Sequence, residues 1–173
     1  MNQTDLNINL CPVIVNNFDN VNKFVYTYIM NCSEYIENYR KQKNISKADI
    51  ARKMGIFPQA YNMKLKKDTW TVNQLKQIAG IFGARLMIQF LKDGEPLVRD
   101  FNGDISRYIL DCEIKVFGRE NLSEIARRMN VSRENIRIKI KKANVSNYDM
   151  DKFALIFDSS PVFYFVDSSG AVI

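Results

Sequence analysis

A stretch of 22 residues recurs 75 positions further along the chain, and this recurrence limits the folds that the chain can adopt. The first copy, residues 46–67, reads SKADIARKMGIFPQAYNMKLKK, and the second, residues 121–142, reads NLSEIARRMNVSRENIRIKIKK. The copies align without a gap and share apolar or small residues, which are Ile50, Ala51, Met54, Ile56, Tyr61 and Leu65 in the first and Ile125, Ala126, Met129, Val131, Ile136 and Ile140 in the second. A repeat at fixed spacing predicts two units of one fold.

Each copy has the pattern of two short helices joined by a tight turn. Ser46 and Asp49 predict a capping box at the start of the first helix. The second copy repeats this pair as Asn121 and Glu124. Gly55 favours the left-handed backbone that ends a helix. Asn130 takes its place in the second copy, and asparagine is the residue that tolerates this backbone next best.

This pattern resembles the helix-turn-helix of the phage-repressor and Cro-like (XRE-type) regulators. The resemblance rests on an apolar residue, an alanine, three further residues, a glycine, an apolar residue and another apolar residue five positions later. A single copy would also fit a helical hairpin in another all-α core, but the second copy favours the regulators. The resemblance implies units of four helices, in which the second helix of each pair enters the major groove of DNA.

The rest of the chain predicts how the two units begin and end. Apolar residues three and four apart between Val21 and Lys43 predict a long amphipathic helix, and Ile105 to Phe117 predicts a shorter counterpart. Strand-like composition follows each helical unit, at Arg85–Leu91 and at Pro161–Val166. Turns at residues 92–95 and 167–170 then lead to short return strands, which we predict at Leu97–Arg99 and Ala171–Ile173.

We therefore predict a mainly α fold of two tandem four-helix helix-turn-helix domains, each followed by a short β-strand or hairpin. Residues 23–99 form the first domain and residues 105–173 the second, after a flexible, asparagine-rich N-terminal arm at residues 1–22. An exposed strand edge is a ready pairing surface. Because both strands belong to one chain, we expect them to pair with each other and make an intramolecular pseudo-dimer. A homodimer that forms through the same strands is the alternative.

Positive charge is concentrated in the two repeated segments. The chain has a net charge of +6. Residues 46–69 carry six basic and two acidic residues, residues 121–144 carry seven and two, and the remainder of the chain is therefore net −3. Positive charge at the same place in both copies, beside an acidic remainder, is typical of proteins that bind a polyanion. Solvated lysine-rich helix faces would explain the charge but not its repetition.

The composition argues against several other classes of protein. The chain contains no histidine, and its three cysteines, Cys11, Cys32 and Cys112, are too widely spaced for a zinc pattern. We therefore expect no metal, no cofactor and no enzymatic activity, since His-based acid–base catalysis is excluded. The sequence has no run of 18 apolar residues and no basic region followed by an apolar core at its N-terminus. We expect a cytoplasmic protein without a membrane partner.

The resemblance assigns the DNA contacts residue by residue. The residues expected at base edges are Gln59, Asn62, Met63 and Lys66 in the first unit and Ser132, Arg133, Glu134, Arg137 and Lys141 in the second. The residues expected at phosphates are Lys47, Lys64, Lys67, Lys139 and Lys142. The side chains suit these places, because Gln59 or Asn62 can bond to adenine, Arg133 or Arg137 to guanine, and Met63 can touch a thymine methyl group.

These observations predict a sequence-specific double-stranded DNA-binding protein, a transcriptional regulator of phage or mobile-element type. The alternative is a protein-interaction module on the same fold, either an antitoxin or an inhibitor of a nucleic-acid enzyme, with a protein as its partner. The alternative is favoured by Phe57, which lies at the start of the second helix of the first copy, by Met63 and by the apolar residues 10–15. The repeated cationic faces favour DNA.

Overall fold

The computed structural model describes residues 31–98 and 103–173. Eight helices and three strands lie within these two ranges. They are α1 (Cys32–Gln42), α2 (Lys47–Lys53), α3 (Pro58–Lys67), α4 (Val72–Ile81), β1 (Arg85–Lys92), β2 (Glu95–Pro96), α5 (Ile105–Phe117), α6 (Leu122–Arg128), α7 (Arg133–Lys141), α8 (Asn147–Ile156) and β3 (Ser160–Val166). The predicted N-terminal arm, residues 1–22, lies outside the described residues.

The described part of the chain is mainly helical, with a small antiparallel sheet in the strand order β2-β1-β3. The prediction of a mainly α fold with short β elements is confirmed. The elements recur with the spacing of the sequence repeat, since α2 and α6 have identical bounds after a shift of 75 residues, as do α4 and α8. The local sequence therefore produces the same helices twice.

The turn inside each helix pair is built in the same way. Gly55 has φ +68° and Asn130 has φ +55°, so both residues lie in the left-handed region. The amide that follows each of them donates back across the turn, from Ile56 to the Ala51 carbonyl and from Val131 to the Ala126 carbonyl, at 3.0 Å in both cases. These bonds satisfy carbonyl groups at the helix ends. The prediction that Asn130 adopts the left-handed backbone of Gly55 at the equivalent turn is confirmed.

The described elements fall into a first half, α1 to β2, and a second half, α5 to β3. The end of the first half forms the expected hairpin, but its return strand is displaced. Asp93 and Gly94 make a two-residue turn with φ values of +52° and +82°. Two positive φ values are typical of the tight turns that match the twist of paired strands. Because pairing begins directly after this turn, the return strand is Glu95–Pro96 and not the predicted Leu97–Arg99. Of the predicted residues, Arg99 lies outside the described ranges.

The first helices of the two halves differ from the expectation. The helix α1 begins at Cys32, because the extended Asn31 caps it and accepts a 2.8 Å hydrogen bond from the Glu34 amide, and residues 21–30 of the predicted helix lie outside the described residues. Asparagine is one of the most favourable residues at this capping position. The helix α5 has 13 residues and α1 has 11, so α5 is not the shorter of the two.

The second predicted capping box is also wrong. The Asn121 side chain makes no capping hydrogen bond. Instead, the buried Glu113 carboxylate of α5 accepts a 2.8 Å bond from the Asn121 amide, and Glu124 is engaged in ion pairs. In the first copy Ser46 does cap α2, because its hydroxyl oxygen accepts a 3.0 Å bond from the Asp49 amide. A group from a neighbouring helix thus replaces the local cap in the second copy.

The halves are joined by antiparallel pairing of β1 with β3, as expected for two strands of one chain. The register is centred on Ile88 opposite Phe163, two residues that are 75 positions apart. A second contact has the same spacing, since Thr71 forms a bridge with Ser146. Two backbone hydrogen bonds of 2.9 Å flank this bridge. The Val72 amide donates to the Val145 carbonyl, and the Asn147 backbone amide donates to the Trp70 carbonyl. Equivalent residues therefore face each other, which is the pattern of a two-fold relation between the halves.

Each of these strands also carries one phenylalanine into the helices of the opposite half. Phe90 of β1 lies against the ring of Phe157, with centroids 5.3 Å apart. Phe165 of β3 lies against the ring of Phe82, with centroids 6.0 Å apart. The two contacts are equivalent after the shift of 75 residues, and both strand phenylalanines are buried. A hydrophobic core shared by both halves is the result.

Two tyrosine hydroxyls, one from each half, hold β1 and β3 in place. The Tyr108 hydroxyl of α5 accepts a 2.8 Å bond from the Phe90 amide, and the Tyr35 hydroxyl of α1 accepts a 3.0 Å bond from the Phe165 amide. Tyr35 also donates to the carbonyl of Ile173. Burial raises the pKa of both tyrosines, so the hydroxyls stay neutral. Each strand is therefore held by packing and by a directed hydrogen bond.

Replacing either exchanged phenylalanine should destabilise the whole described fold. Because Phe90→Ala or Phe165→Ala opens a cavity in the shared core, we expect the free energy of unfolding to fall by about 3–5 kcal/mol. Leu155→Ala is the control, since Leu155 is 80% exposed, and a surface change of this kind stays within about 0.5 kcal/mol. Urea titration followed by Trp70 fluorescence measures the change. A loss from Phe165→Ala no larger than that of the control would contradict the shared core.

Candidate nucleic-acid interface

The helix α3 turns four residues outward on one side. Gln59, Asn62, Met63 and Lys66 are all exposed, and their spacing of three and four puts them on one helix face, here named the α3 face. Tyr61 points the other way and is fully buried, with its ring 5.6 Å from that of Trp70. The structure thus brings together the four base-edge residues that the sequence predicted for the first unit.

The helix α7 has an equivalent surface, the α7 face, formed by Glu134, Arg137, Ile138 and Lys141. All four residues are exposed, whereas Ile136 and Ile140 are buried on the opposite side. Arg137 lies 3.4 Å from Glu134 across one helical turn. The sequence prediction included three of the four residues and omitted Ile138, which is 41% exposed. The matching position in the first copy, Met63, would have identified it.

The N-terminal tips of the two helices differ. Phe57 precedes α3 without a capping hydrogen bond from its side chain, and its ring is 79% exposed. Ser132 occupies the same place before α7, where its hydroxyl oxygen accepts a 3.2 Å bond from the Asn135 amide. Arg133, the next residue, is exposed. The second tip is therefore polar and basic, and the first is apolar.

Acidic side chains also distinguish the α3 face from the α7 face. An open cleft of about 530 Å³ runs between α1 and α3, and Asn62 and Lys66 line it together with Glu34 and Glu37. Tyr35 and Tyr108 hold the two strands in the same way, so the positions equivalent to these two glutamates, counted from the tyrosines, are Arg107 and Leu110, and neither is acidic. The carboxylates reduce the positive potential beside the α3 face, and the α7 face has no counterpart at those positions.

Exposed lysines lie at the C-terminal ends of both helices. They are Lys66 and Lys67 on α3, and Lys141 and Lys142 at the end of α7. Within the described residues none of the four takes part in an ion pair. A helix C-terminus favours positive charge because of its dipole. The helix dipole therefore favours the positive charge of these lysines, and their side chains are accessible to a polyanion.

The ends of α3 and α7 lie beside the join between the halves. The Asn147 side-chain amide donates to Asp68, which directly follows α3, and the Asn73 side-chain amide donates to the Lys142 carbonyl at 2.9 Å. Each helix end is thus bonded to the other half of the molecule. The two pairs of lysines consequently lie on either side of the join.

Three of the five lysines predicted at phosphates have partners inside the chain. Lys47 forms a 3.0 Å ion pair with Glu37. Lys64 donates to the Thr69 carbonyl at 3.0 Å, and its partial burial lowers the pKa of its ammonium group. Lys139 forms a 2.9 Å ion pair with Asp149. The other two, Lys67 and Lys142, are exposed.

Asp149 is the buried partner that the sequence did not reveal. Its carboxylate accepts bonds from Lys139, from the Ser146 amide at 3.0 Å and from the Ser146 hydroxyl at 2.8 Å. Burial raises the pKa of this carboxyl, but the hydrogen bonds from Lys139 and Ser146 outweigh burial, and its pKa lies below the ordinary value of 3.8. Lys139 therefore links α7 to the start of α8.

The helix α6 contributes two further exposed cations. Arg127 and Arg128 each lie 2.7 Å from the Glu124 carboxylate. Hydrogen bonds from these two arginines lower the pKa of Glu124 to about 2. The guanidinium groups stand in the last turn of α6, next to the turn that leads into α7. The sequence prediction did not include them in the site.

A polar network fixes the C-terminal end of α3. Asp68 has φ +48°, a left-handed backbone that aspartate tolerates better than most residues. Its carboxylate accepts 2.7 Å hydrogen bonds from the backbone amide and the hydroxyl of Ser33 in α1. It also accepts a 2.8 Å hydrogen bond from the side-chain amide of Asn147 in α8. The buried Trp70 indole in turn donates to the Ser33 hydroxyl at 2.8 Å. One aspartate therefore ties α3 to both halves.

Comparison with family models, with curated proteins and with solved structures found no match to this chain. No helix in the described ranges is both long enough and apolar enough to cross a membrane. Among the same residues, no group of three or more metal-binding side chains is placed to hold an ion.

Lys139 and Lys142 should respond differently to substitution. Lys139→Ala leaves the buried Asp149 carboxylate without its cation, which we expect to lower the free energy of unfolding by about 1–3 kcal/mol. Lys142→Ala is the matched control, because Lys142 is exposed and should change stability by less than about 0.5 kcal/mol. Urea titration at neutral pH measures both. Equal stabilities of the two variants would contradict a structural role for Lys139.

The same ion pair predicts a pH dependence. A carboxyl whose pKa is lowered by folding contributes stability above its unfolded pKa and loses it as the pH falls through the folded value. The difference in stability between wild type and Lys139→Ala should therefore shrink as the pH falls below 3.8. Denaturation at a series of pH values measures it. A difference that stays constant through this range would show that Asp149 is not the partner that matters.

Proposed function

We propose that this chain is a sequence-specific double-stranded DNA-binding protein, a transcriptional regulator of phage or mobile-element type. In this proposal α2 with α3, and α6 with α7, are two helix-turn-helix units. The observation that carries it is the repeated surface, because α3 and α7 expose equivalent residues and both end in exposed lysines that form no ion pair with another described residue. Two such surfaces on opposite sides of a join suit two successive major grooves of one duplex.

Base contacts would come from the α3 and α7 faces. Gln59 and Asn62 suit adenine, whose N6 and N7 atoms match a carboxamide, and Arg133 and Arg137 suit guanine. All four side chains are exposed near the N-terminal halves of their helices. The first half-site would then be richer in A·T pairs and the second in G·C pairs. We therefore expect an asymmetric operator.

Phosphate contacts would come from the lysines at the helix ends. Lys67 and Lys142 are exposed, and they occupy equivalent positions. Such contacts supply affinity and orientation but carry no sequence information. The ion-paired Lys47 and Lys139 are expected to add less, because binding a phosphate would compete with Glu37 or Asp149.

The α7 face should contribute more of the affinity than the α3 face. The apolar Phe57 ring stands at the tip of α3, and Glu34 and Glu37 line the cleft between α1 and α3. Arg133 stands at the tip of α7, and Arg127 and Arg128, which share the single carboxylate of Glu124, leave a net positive charge close to it in sequence. Electrostatic attraction to the duplex is therefore greater in the second half.

A protein-interaction module is the second candidate function, and the exposure of Phe57 favours it. A large aromatic ring that is 79% exposed at a helix tip is an unusual feature for a surface that meets only bases and phosphates. An antitoxin or an inhibitor of a nucleic-acid enzyme would bury it against its target. Salt separates the candidates, because DNA affinity falls by about 0.9 log units per neutralised phosphate for each tenfold rise in salt.

Selection of random-sequence duplexes by the purified chain tests the proposed function. The bound pool is sequenced after several rounds at moderate salt. Enrichment of two dissimilar half-sites about one helical turn apart is the expected result. A pool without any enriched sequence would overturn the proposal and move attention to a protein partner of Phe57.

Arg137 and Lys142 should affect binding in different ways. Arg137→Ala removes a base contact, and we expect it to relax the preference at one or two base pairs by about 1–3 kcal/mol. Lys142→Ala removes a phosphate contact, so it should weaken all sequences alike and reduce the salt slope by about 1. Lys92→Ala on β1 is the control for the loss of one charge. Fluorescence anisotropy with a panel of single-base variants measures these effects, and equal, sequence-independent losses would show that Arg137 reads no base.

A further inference from the structure

Met63 and Ile138 are equivalent residues in the repeat, and both are exposed and apolar. Met63 is 56% exposed on the α3 face, and Ile138 is 41% exposed on the α7 face. Neither belongs to the buried hydrophobic core of the described residues. A single exposed apolar residue needs no explanation. Two of them at the same position of two otherwise different helix faces do need one.

The neighbours of these residues are polar or charged. Met63 lies between Asn62 and, one turn further, Lys66, and Ile138 lies between Arg137 and Lys141. Other positions on the two faces are also polar, with glutamine in one and glutamate in the other. Both faces thus have an apolar group in the middle and a cation towards the C-terminal end. A surface of this kind complements a polyanion that displays one small apolar group.

The major groove of DNA displays such a group only at thymine. Guanine, cytosine and adenine present hydrogen-bond donors and acceptors there, whereas thymine adds its 5-methyl group. The phosphates around that methyl group would meet the lysines at the helix ends. A protein surface would also bury Met63 and Ile138, but it would not require the same cation beside each of them.

We propose that Met63 and Ile138 are specificity-determining residues that each contact a thymine methyl group, one in each half-site. The inference rests on the proposed function and deepens it, since it specifies one base at equivalent places in two otherwise dissimilar half-sites. Asn62 and Arg137 beside them would make the two half-sites differ, and the apolar pair would make them alike at this position.

Uracil substitution tests this contact without changing any hydrogen bond. The probe is the enriched duplex from the selection, in which each thymine in turn is replaced by uracil, which lacks only the methyl group. Loss of one buried methyl group should weaken binding by about fourfold. We expect this loss at one thymine in each half-site and not at the others. Fluorescence anisotropy competition measures the ratio of the two affinities.

Protein variants identify which residue makes each contact. Met63→Ala should abolish the preference for thymine over uracil in the first half-site only, and Ile138→Ala should abolish it in the second only. Both residues are exposed, so the variants should retain their fold, which thermal unfolding checks. Leu155→Ala, which removes an exposed apolar side chain from α8, is the matched control and should change neither ratio.

Two results would overturn the inference, and they are distinguishable. If a selected duplex binds but no uracil substitution weakens it twofold, or if both variants keep the wild-type ratios, the methyl contacts are absent while the proposed function stands. If no duplex is enriched at all, the proposed function fails and the inference fails with it. Thymine-specific losses that vanish in the matching variant would establish the contacts.

Discussion

The exchange of two phenylalanines between the halves is the interaction on which the rest of the structure depends. Phe90 lies among the helices of the second half and Phe165 among those of the first. A unit of about 75 residues buries too little of its own surface to be stable with ease. The exchanged strands enlarge the core of each half with a side chain from the other. Neither half has a complete core by itself.

The contacts between the two halves also fix the positions of the α3 and α7 faces. Because β1 pairs with β3 and the Thr71–Ser146 bridge lies at a second point, the halves touch at two separate places. Two points of contact prevent rotation about a single hinge. Asp68 adds a third constraint, since it bonds to α1 and α8 at once. The α3 and α7 faces are therefore held at a fixed separation, as the proposed binding to two grooves requires.

Much of the fold followed from the sequence because its determinants are local. The left-handed residues Gly55 and Asn130, the Asp93-Gly94 turn and the period of the apolar residues act within a few positions, and the structure has these elements where they were expected. Two of the mistakes arose where a distant group competes. Glu113 replaces the Asn121 cap, and Asp149 engages Lys139, a residue assigned to phosphate. Sequence spacing does not reveal which tertiary partner a side chain will find.

The exchange itself shows the same limit. The sequence predicted that the strands pair with each other, but it gave no register and no indication that Phe90 and Phe165 change halves. The candidate faces were easier to predict, because helix geometry alone decides which residues share a side. Ile138 was overlooked although the repeat aligned it with Met63. Accessibility, which depends on packing, identified it.

The most direct test of this account changes the spacing of the two half-sites in the selected duplex. Affinity is measured for the native spacing and after insertion of five base pairs, about half a helical turn. Because the shared core holds the two faces at one separation, we predict that the insertion reduces affinity at least tenfold. Unchanged affinity would mean that only one face binds DNA, and it would contradict the claim that a single rigid chain reads both half-sites.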